Sequence, residues 1–189
     1  MDMKKLAIFG FILLSFSPFV GGRKLEIDPG QRYLLLATKK TSTMQKELDE
    51  AAKQGFVIRV GSHTSGSEVV FFLERAVKPP DTFIYHLLAT SRTSTMQKEL
   101  NHFSQLGFRL LPGTMIPKKG VFGGFEILAI LERPPKIDKR YQYKLLATNR
   151  TSTLQREVTQ AQADGYVLVG MVSRNEHIVI LEKEITVNQ

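Results

Sequence analysis

One pattern of residues occurs three times along this chain and constrains its fold more than any other feature. Each copy reads Tyr, a variable residue, Leu-Leu-Ala-Thr, a variable residue, Lys or Arg, Thr-Ser-Thr, Met or Leu, Gln, Lys or Arg, and Glu. The copies begin at Tyr33, Tyr85 and Tyr143. Self-similarity at such a period indicates one supersecondary unit repeated in tandem. The chain is therefore predicted to fold as three copies of one small unit.

Each copy predicts a strand, a helix and two further strands. The first strand starts at the repeated tyrosine, and the apolar residues of the following segment share one helix face. Each helix is expected to end at a glycine that precedes an aromatic residue, because glycine readily adopts the left-handed conformation that terminates helices. These glycines are Gly55, Gly107 and Gly165. Two apolar segments complete each copy, so the predicted unit is β-α-β-β.

The faces of the first strand can be predicted from its alternation. Side chains two residues apart share a face, which places Tyr33, Leu35 and Ala37 together. The position after the tyrosine varies between Leu34, His86 and Lys144 in the three copies, and we expect it to face solvent.

The last strand of the unit is apolar on both faces, as in Val69–Leu73 and Ile178–Leu181. A sheet covered by a helix on one side only should instead alternate between apolar and polar residues. The second face is therefore expected to be covered by a neighbouring repeat, with sheets back to back and helices outside, or by a second copy of the chain. The predicted fold class is α+β, with three tandem β-α-β-β repeats whose antiparallel sheets carry one helix each and share a core.

Two further features divide the chain. Residues 1–22 have two lysines near the start, an apolar run and small residues at the end, which predicts a secretory signal peptide. A membrane anchor is the alternative, although Pro18 interrupts the apolar run. Paired prolines form short spacers near residues 77 and 135. The predicted repeats therefore cover residues 23–76, 77–134 and 135–189.

Charge and cysteine content bear on location and partners. The chain has no cysteine, so neither disulfides nor lipid attachment at a cysteine is expected. Its formal net charge of +8 favours anionic partners such as envelope glycans, phospholipid headgroups or nucleic acid, or serves only solubility. We expect a basic, exported protein, periplasmic or extracellular, with no stable membrane span after cleavage. Its oligomeric state is left open.

The repeated Lys/Arg-Thr-Ser-Thr segment is the main candidate site. It places a cation and hydroxyl groups at a predicted helix N-terminus, where free amides and the helix dipole attract anions. The candidate anion-binding residues are Lys40, Thr41, Ser42, Arg92, Thr93, Ser94, Arg150, Thr151 and Ser152. The competing interpretation is a capping box, in which Ser42 caps the helix and Gln45 reaches back to the serine amide.

Other residues do not form a chemical site. The four histidines lack metal-ligand spacing, so no metal or other cofactor is expected. No serine, histidine and carboxylate set indicates a nucleophile, so no catalytic residue is assigned. Glutamates recur at strand ends beside basic residues, which favours ion pairs over acid–base catalysis. Residues 112–124 predict a long hairpin loop, and hairpin residues such as Arg174 are expected near the helix N-termini.

The repeat resembles small βαββ modules of unknown function. The resemblance rests on the tyrosine strand at Tyr33, the helix exit Gly55-Phe56 and the final Leu73-Glu74-Arg75, with equivalents in the other copies. Families with a Gly-Trp-Glu-Leu helix exit are similar, but this chain has Phe or Tyr and no tryptophan. The βαββ order also resembles dodecin-like modules of exported bacterial proteins. The resemblance implies a topology and no catalytic residues.

The sequence thus predicts an exported, non-enzymatic binding or structural module of the cell envelope. Its partner would be an anionic envelope component or a protein, without specific nucleic-acid recognition. The alternative is a nucleic-acid or polyanion binder, which would need aromatic residues for stacking beside the basic groups. An enzyme is the least favoured class.

Overall fold

The structure is a computed structural model that describes residues 25–64, 67–77, 83–120 and 124–186. The predicted signal peptide, residues 1–22, lies outside these residues, as do Pro79 and Pro80. The described part of the chain forms three antiparallel sheets, each with a helix packed against it. The predicted α+β class and its three repeated modules are confirmed.

The first two modules differ by one strand. The first contains β1 (Tyr33–Thr38), α1 (Thr41–Lys53), β2 (Phe56–His63) and β3 (Val69–Arg75). The second contains β4 (Ile84–Thr90), α2 (Thr93–Gln105), β5 (Arg109–Leu110), β6 (Ile116–Lys119) and β7 (Phe125–Arg133). The extra strand β6 pairs with β7, so the hairpin predicted as a loop over residues 112–124 is partly strand.

The third module contains β8 (Arg140–Thr148), α3 (Thr151–Ala163), β9 (Val167–Ser173) and β10 (His177–Ile185). The sheets run β1-β3-β2, β4-β7-β5 and β8-β10-β9, so the last strand of each module is central. The first strand of each module is therefore an edge strand, with one row of backbone groups left for another partner.

The helices end as predicted. Gly55, Gly107 and Gly165 adopt φ of 82°, 89° and 87°, in the left-handed region that favours glycine. The amide of Phe108, after Gly107, donates to the Phe103 carbonyl at 3.1 Å, which closes the last turn of α2. This bond is the six-to-one contact of a Schellman motif.

Neighbouring modules share their cores, as the apolar last strands predicted. The first core contains Leu36 and Phe71 from sheet one together with Tyr85, Leu128 and Ile130 from sheet two. In the second core, residues of module two, among them Met96 and Leu131, pack against Tyr143, Ile178 and Ile180 of module three. The third core is small, and its buried members are Ala161, Tyr166, Val179 and Leu181.

The helices do not lie outside the stack as predicted. Helix α1 contacts β1 and β2 of its own sheet and also β4 of the next module, and α2 likewise contacts β8. Each inner helix thus lies at the boundary between two modules. Among the described residues, only α3 has no following module against which to pack.

The expected faces of the first strand are wrong for module one. Leu34 and Leu36 are buried, whereas Tyr33 and Leu35 are exposed. The tyrosine face of a module packs against the preceding module, and Tyr85 is accordingly buried. No module precedes Tyr33 in the described residues, so the face that is internal in the later modules is open in the first.

Candidate functional site

The helix N-termini differ from the predicted capping box. The N-cap residues are Lys40, Arg92 and Arg150, and none of the three helices has a side-chain cap hydrogen bond. The prediction that Ser42 and its equivalents Ser94 and Ser152 are the caps is therefore wrong. These serines lie inside the first helical turn.

A threonine that the sequence analysis missed explains the earlier start. The Oγ1 atom of Thr38, the last residue of β1, accepts a hydrogen bond from the Lys40 amide at 3.2 Å. Thr90 and Thr148 accept equivalent bonds from Arg92 and Arg150, at 3.3 and 3.1 Å. This local turn ends the strand within two residues, so the helix begins before the serine. Because this threonine recurs in all three copies, the sequence contained a signal for the turn.

The repeated glutamine binds the next module instead of the serine amide of the predicted capping box. The Leu87 amide donates to Gln45 Oε1 at 2.8 Å, and Gln45 Nε2 donates to the Tyr85 carbonyl at 2.9 Å. At the next boundary, the Leu145 amide donates to Gln97 Oε1 at 2.8 Å. The glutamine amide therefore serves as a hydrogen-bond partner for the free edge of the following first strand.

This contact makes the repeated glutamine a residue of structural importance. We expect Gln97→Ala to lower the free energy of unfolding by about 1–2 kcal/mol, because it removes the partner of a partly buried backbone amide. Ser94→Ala should change it by less than about 0.5 kcal/mol, because the exposed hydroxyl caps nothing. Urea unfolding measures both. Gln155→Ala in dilute protein is the matched control, since no module follows Gln155 among the described residues, and an effect equal to that of Gln97→Ala would contradict this role.

The first turns of the three helices leave their backbone amides without a side-chain cap. In α1, α2 and α3 the first turn contains no acidic residue, and no side chain caps its amides. The flanking cations Lys40, Arg92 and Arg150 are exposed, and none forms an ion pair with a described residue. The predicted hydroxyl residues Thr41, Ser42, Thr93, Ser94, Thr151 and Ser152 all lie in these turns.

The N-termini of α1 and α2 differ in their surroundings. Arg174, from the hairpin of module three, donates to the Ser91 carbonyl at 3.0 Å, immediately before the N-cap of α2. Arg174 was predicted near a helix N-terminus, and the helix proves to be that of the preceding module. At α1, a groove of about 490 Å³ is lined by Thr41, Ser42 and Glu99, among other residues. A carboxylate there opposes an anion, whereas Arg174 at α2 is paired with Glu176 at 3.3 Å, so α2 offers the less unfavourable field.

The strand-end glutamates pair across strands and modules. Glu74 binds Arg32 and Arg59 of its own module. The buried Glu182 of module three forms an ion pair with Arg109 of module two. Neither pairs with its sequence neighbour, because adjacent side chains of a strand point to opposite faces. Among the described residues, no group of three or more histidines, aspartates and glutamates could hold a metal ion.

Glu132 is the strand-end glutamate of module two, and burial raises its pKa. A hydrogen bond from Tyr85 and the charge of Arg59 oppose this shift without cancelling it. The carboxyl therefore ionises at lower pH in the unfolded chain than in the folded one. Its ionisation opposes folding as the pH rises from the ordinary glutamate value through the raised pKa.

We expect Glu132→Gln to remove the stability loss that ionisation of Glu132 causes. The variant should therefore gain stability relative to the unsubstituted protein as the pH rises from the ordinary glutamate pKa through the raised pKa of Glu132. The measurement is the melting temperature between pH 4 and pH 8. Glu74→Gln is the matched control, because its effect on stability should depend on pH in the opposite direction. Hydrogen bonds from Arg32 and Arg59 lower the pKa of Glu74. The ionised Glu74 carboxyl therefore stabilises the fold above the ordinary glutamate pKa, and this stabilisation is lost as the pH falls through the lowered pKa. Identical profiles for the two variants would contradict the assignment.

Comparison with known protein families, with curated proteins and with solved structures finds no match to this chain. Within the residues that the structure describes, none of the helices has the length and apolar character needed to cross a membrane.

Proposed function

We propose that this chain is an exported, non-enzymatic binding module of the cell envelope whose helix N-termini bind anionic groups. The observation that carries the proposal is the repeated first turn without a side-chain cap, flanked by an exposed cation that no described acid pairs. Backbone amides and a helix dipole stabilise a phosphate or carboxylate at such a position. Export depends on residues 1–22 and is part of the proposal.

Three buried or partly buried groups with raised pKa values, Tyr85, Tyr143 and Glu132, support a non-enzymatic role. Burial raises the pKa values of Tyr85 and Tyr143, and both tyrosine hydroxyls face backbone amides of the preceding module. Glu132 lies against Tyr85 at the same kind of boundary. These groups are thus engaged in the packing between modules.

A nucleic acid or another polyanion is the alternative ligand. Base stacking would require exposed aromatic rings beside the cations. Tyr85, Phe108, Tyr143 and Tyr166, which recur at equivalent positions, are buried in the shared or terminal cores. Tyr33, Phe72 and Phe125 are exposed, but among the described residues no exposed aromatic ring recurs beside all three cations. This favours recognition of an isolated anionic group over stacking along a strand of nucleic acid.

The proposal is tested by removing the three flanking cations. We expect Lys40→Gln with Arg92→Gln and Arg150→Gln to weaken binding of a phosphorylated polysaccharide by about tenfold and to flatten its salt dependence, because charges near the ligand are lost. The melting temperature should stay nearly unchanged, because these side chains are exposed and unpaired. Isothermal titration calorimetry at several salt concentrations measures the binding.

A matched control separates the site from general charge. Lys46→Gln with Lys98→Gln and Arg156→Gln removes the same net charge from repeat-equivalent, exposed positions one turn or more along the helices. Equal weakening by both triple variants would indicate diffuse attraction and contradict the proposed site. Arg92→Gln alone should weaken binding more than Lys40→Gln alone, because the carboxylate of Glu99 already opposes an anion near α1.

A further inference from the structure

The two boundaries between modules use the same positions. At the first boundary, the Ile58 amide of β2 donates to the hydroxyl of Tyr85 at 3.4 Å. At the second, the Leu110 amide of β5 donates to the hydroxyl of Tyr143 at 2.9 Å. The glutamines Gln45 and Gln97 bind the free edge of the following first strand at both boundaries. One interface is therefore built twice within the chain.

The first module presents one half of that interface to solvent. Tyr33 is 53% exposed, whereas its equivalents Tyr85 and Tyr143 are each 2% exposed. Leu35 and Phe72 are also exposed, and the residues at the position of Phe72 in the later modules, Ile130 and Ile180, are fully buried. We call Tyr33, Leu35 and Phe72 the N-terminal face.

The third module presents the other half. Leu168 of β9 is 59% exposed, whereas its equivalents Ile58 and Leu110 are 7% and 0% exposed. Gln155, at the position of Gln45 and Gln97, is exposed on α3 and donates only to Thr159, at 3.4 Å, among the described residues. We call Gln155 and Leu168 the C-terminal face.

We propose that the C-terminal face of one copy of this chain binds the N-terminal face of a second copy and repeats the internal boundary between modules. A second copy is the expected partner, because each face is one half of an interface that the chain already forms twice. Repeat proteins that stay monomeric carry polar terminal modules, and the apolar residues at both ends here lack that protection. The interface is heterologous, so association continues beyond a dimer into a ring or an open chain.

The internal boundaries define the expected contacts. Gln155 Oε1 accepts from the Leu35 amide of the second copy, as Gln45 does from Leu87. The hydroxyl of Tyr33 accepts from the Leu168 amide, as Tyr143 does from Leu110. In the single chain the Tyr33 carbonyl accepts from Gln31 Nε2 at 2.7 Å, and Gln155 Nε2 replaces that donor on association.

Sedimentation velocity of the purified protein over a concentration series tests the proposal, with its N-terminus identified by mass spectrometry. The average mass should rise with concentration beyond that of a dimer. Leu35→Glu blocks the N-terminal face and Leu168→Glu blocks the C-terminal face, and each should weaken association by about 100-fold, because the interface would bury an unpaired charge. Circular dichroism should show both variants folded, since both side chains are exposed.

Mixing the two blocked variants gives the decisive result. Each retains one intact face, so an equimolar mixture should form a dimer that neither variant forms alone. Leu106→Glu, at an exposed leucine of the second module, is the matched control and should associate like the unsubstituted protein. A monomer at all concentrations would overturn the proposal and leave residues 1–24 or a different protein as the occupant. Dimerisation of either blocked variant alone would indicate contact between like faces and overturn it too.

Discussion

Leu36→Asp should unfold the chain, because Leu36 is buried in the core that modules one and two share. An unpaired carboxylate in an apolar core costs several kcal/mol, of the same order as the roughly 5–15 kcal/mol by which proteins of this size are stable. The loss is transmitted to module two, because Tyr85 and Ile130 pack in the same core. Far-UV circular dichroism and urea unfolding measure the effect.

Leu35→Asp, at the adjacent residue of the same strand, is the matched control. Its side chain is exposed on the N-terminal face, so the dilute variant should unfold at nearly the same urea concentration as the unsubstituted protein. The two substitutions differ only in strand face. If Leu36→Asp kept the native midpoint, or if only the signals of module one were lost in an NMR spectrum, the shared core would not couple the modules.

The sequence predicted the architecture wherever one residue type had one structural use. Glycine at Gly55, Gly107 and Gly165 is needed for a positive φ, so each helix end was predictable. The apolar last strands required two covered faces, and the structure covers both faces of β7 and β10. It leaves Phe72 of β3 exposed, so for Val69–Leu73 the prediction is wrong within the single chain. These features depend on local conformation or on total burial, and both can be deduced from residue type and period.

The sequence predicted less where a polar residue had several possible partners. Gln45 satisfies the spacing of a capping box, but it binds the edge of β4, which is distant in sequence. A local pattern contains no information about that partner. Similarly, the exposure of Tyr33 depends on whether a module precedes it, since its equivalent Tyr85 is buried. Three closely similar motifs therefore occupy different environments, according to their place in the stack.

The third module alone, residues 139–189, should fail to fold as a stable monomer. In the full chain Tyr143, Ile178 and Ile180 are buried against module two, and separation exposes all three. What remains is the small third core around Tyr166 and Leu181. Domains of about 50 residues are marginal even with a complete core, because they bury a small fraction of their surface. The isolated module should therefore be unfolded or should self-associate.

The effect of the shared core can be isolated by comparing this module with a chain of residues 77–189, which retains modules two and three. It keeps the whole second core, including the ion pair between Arg109 and Glu182, and should unfold cooperatively in urea. Residues 139–189 should show no cooperative transition as a monomer under the same conditions. A monomeric, cooperatively unfolding third module would mean that each repeat stabilises itself, and the apolar residues at the module boundaries would then require another explanation.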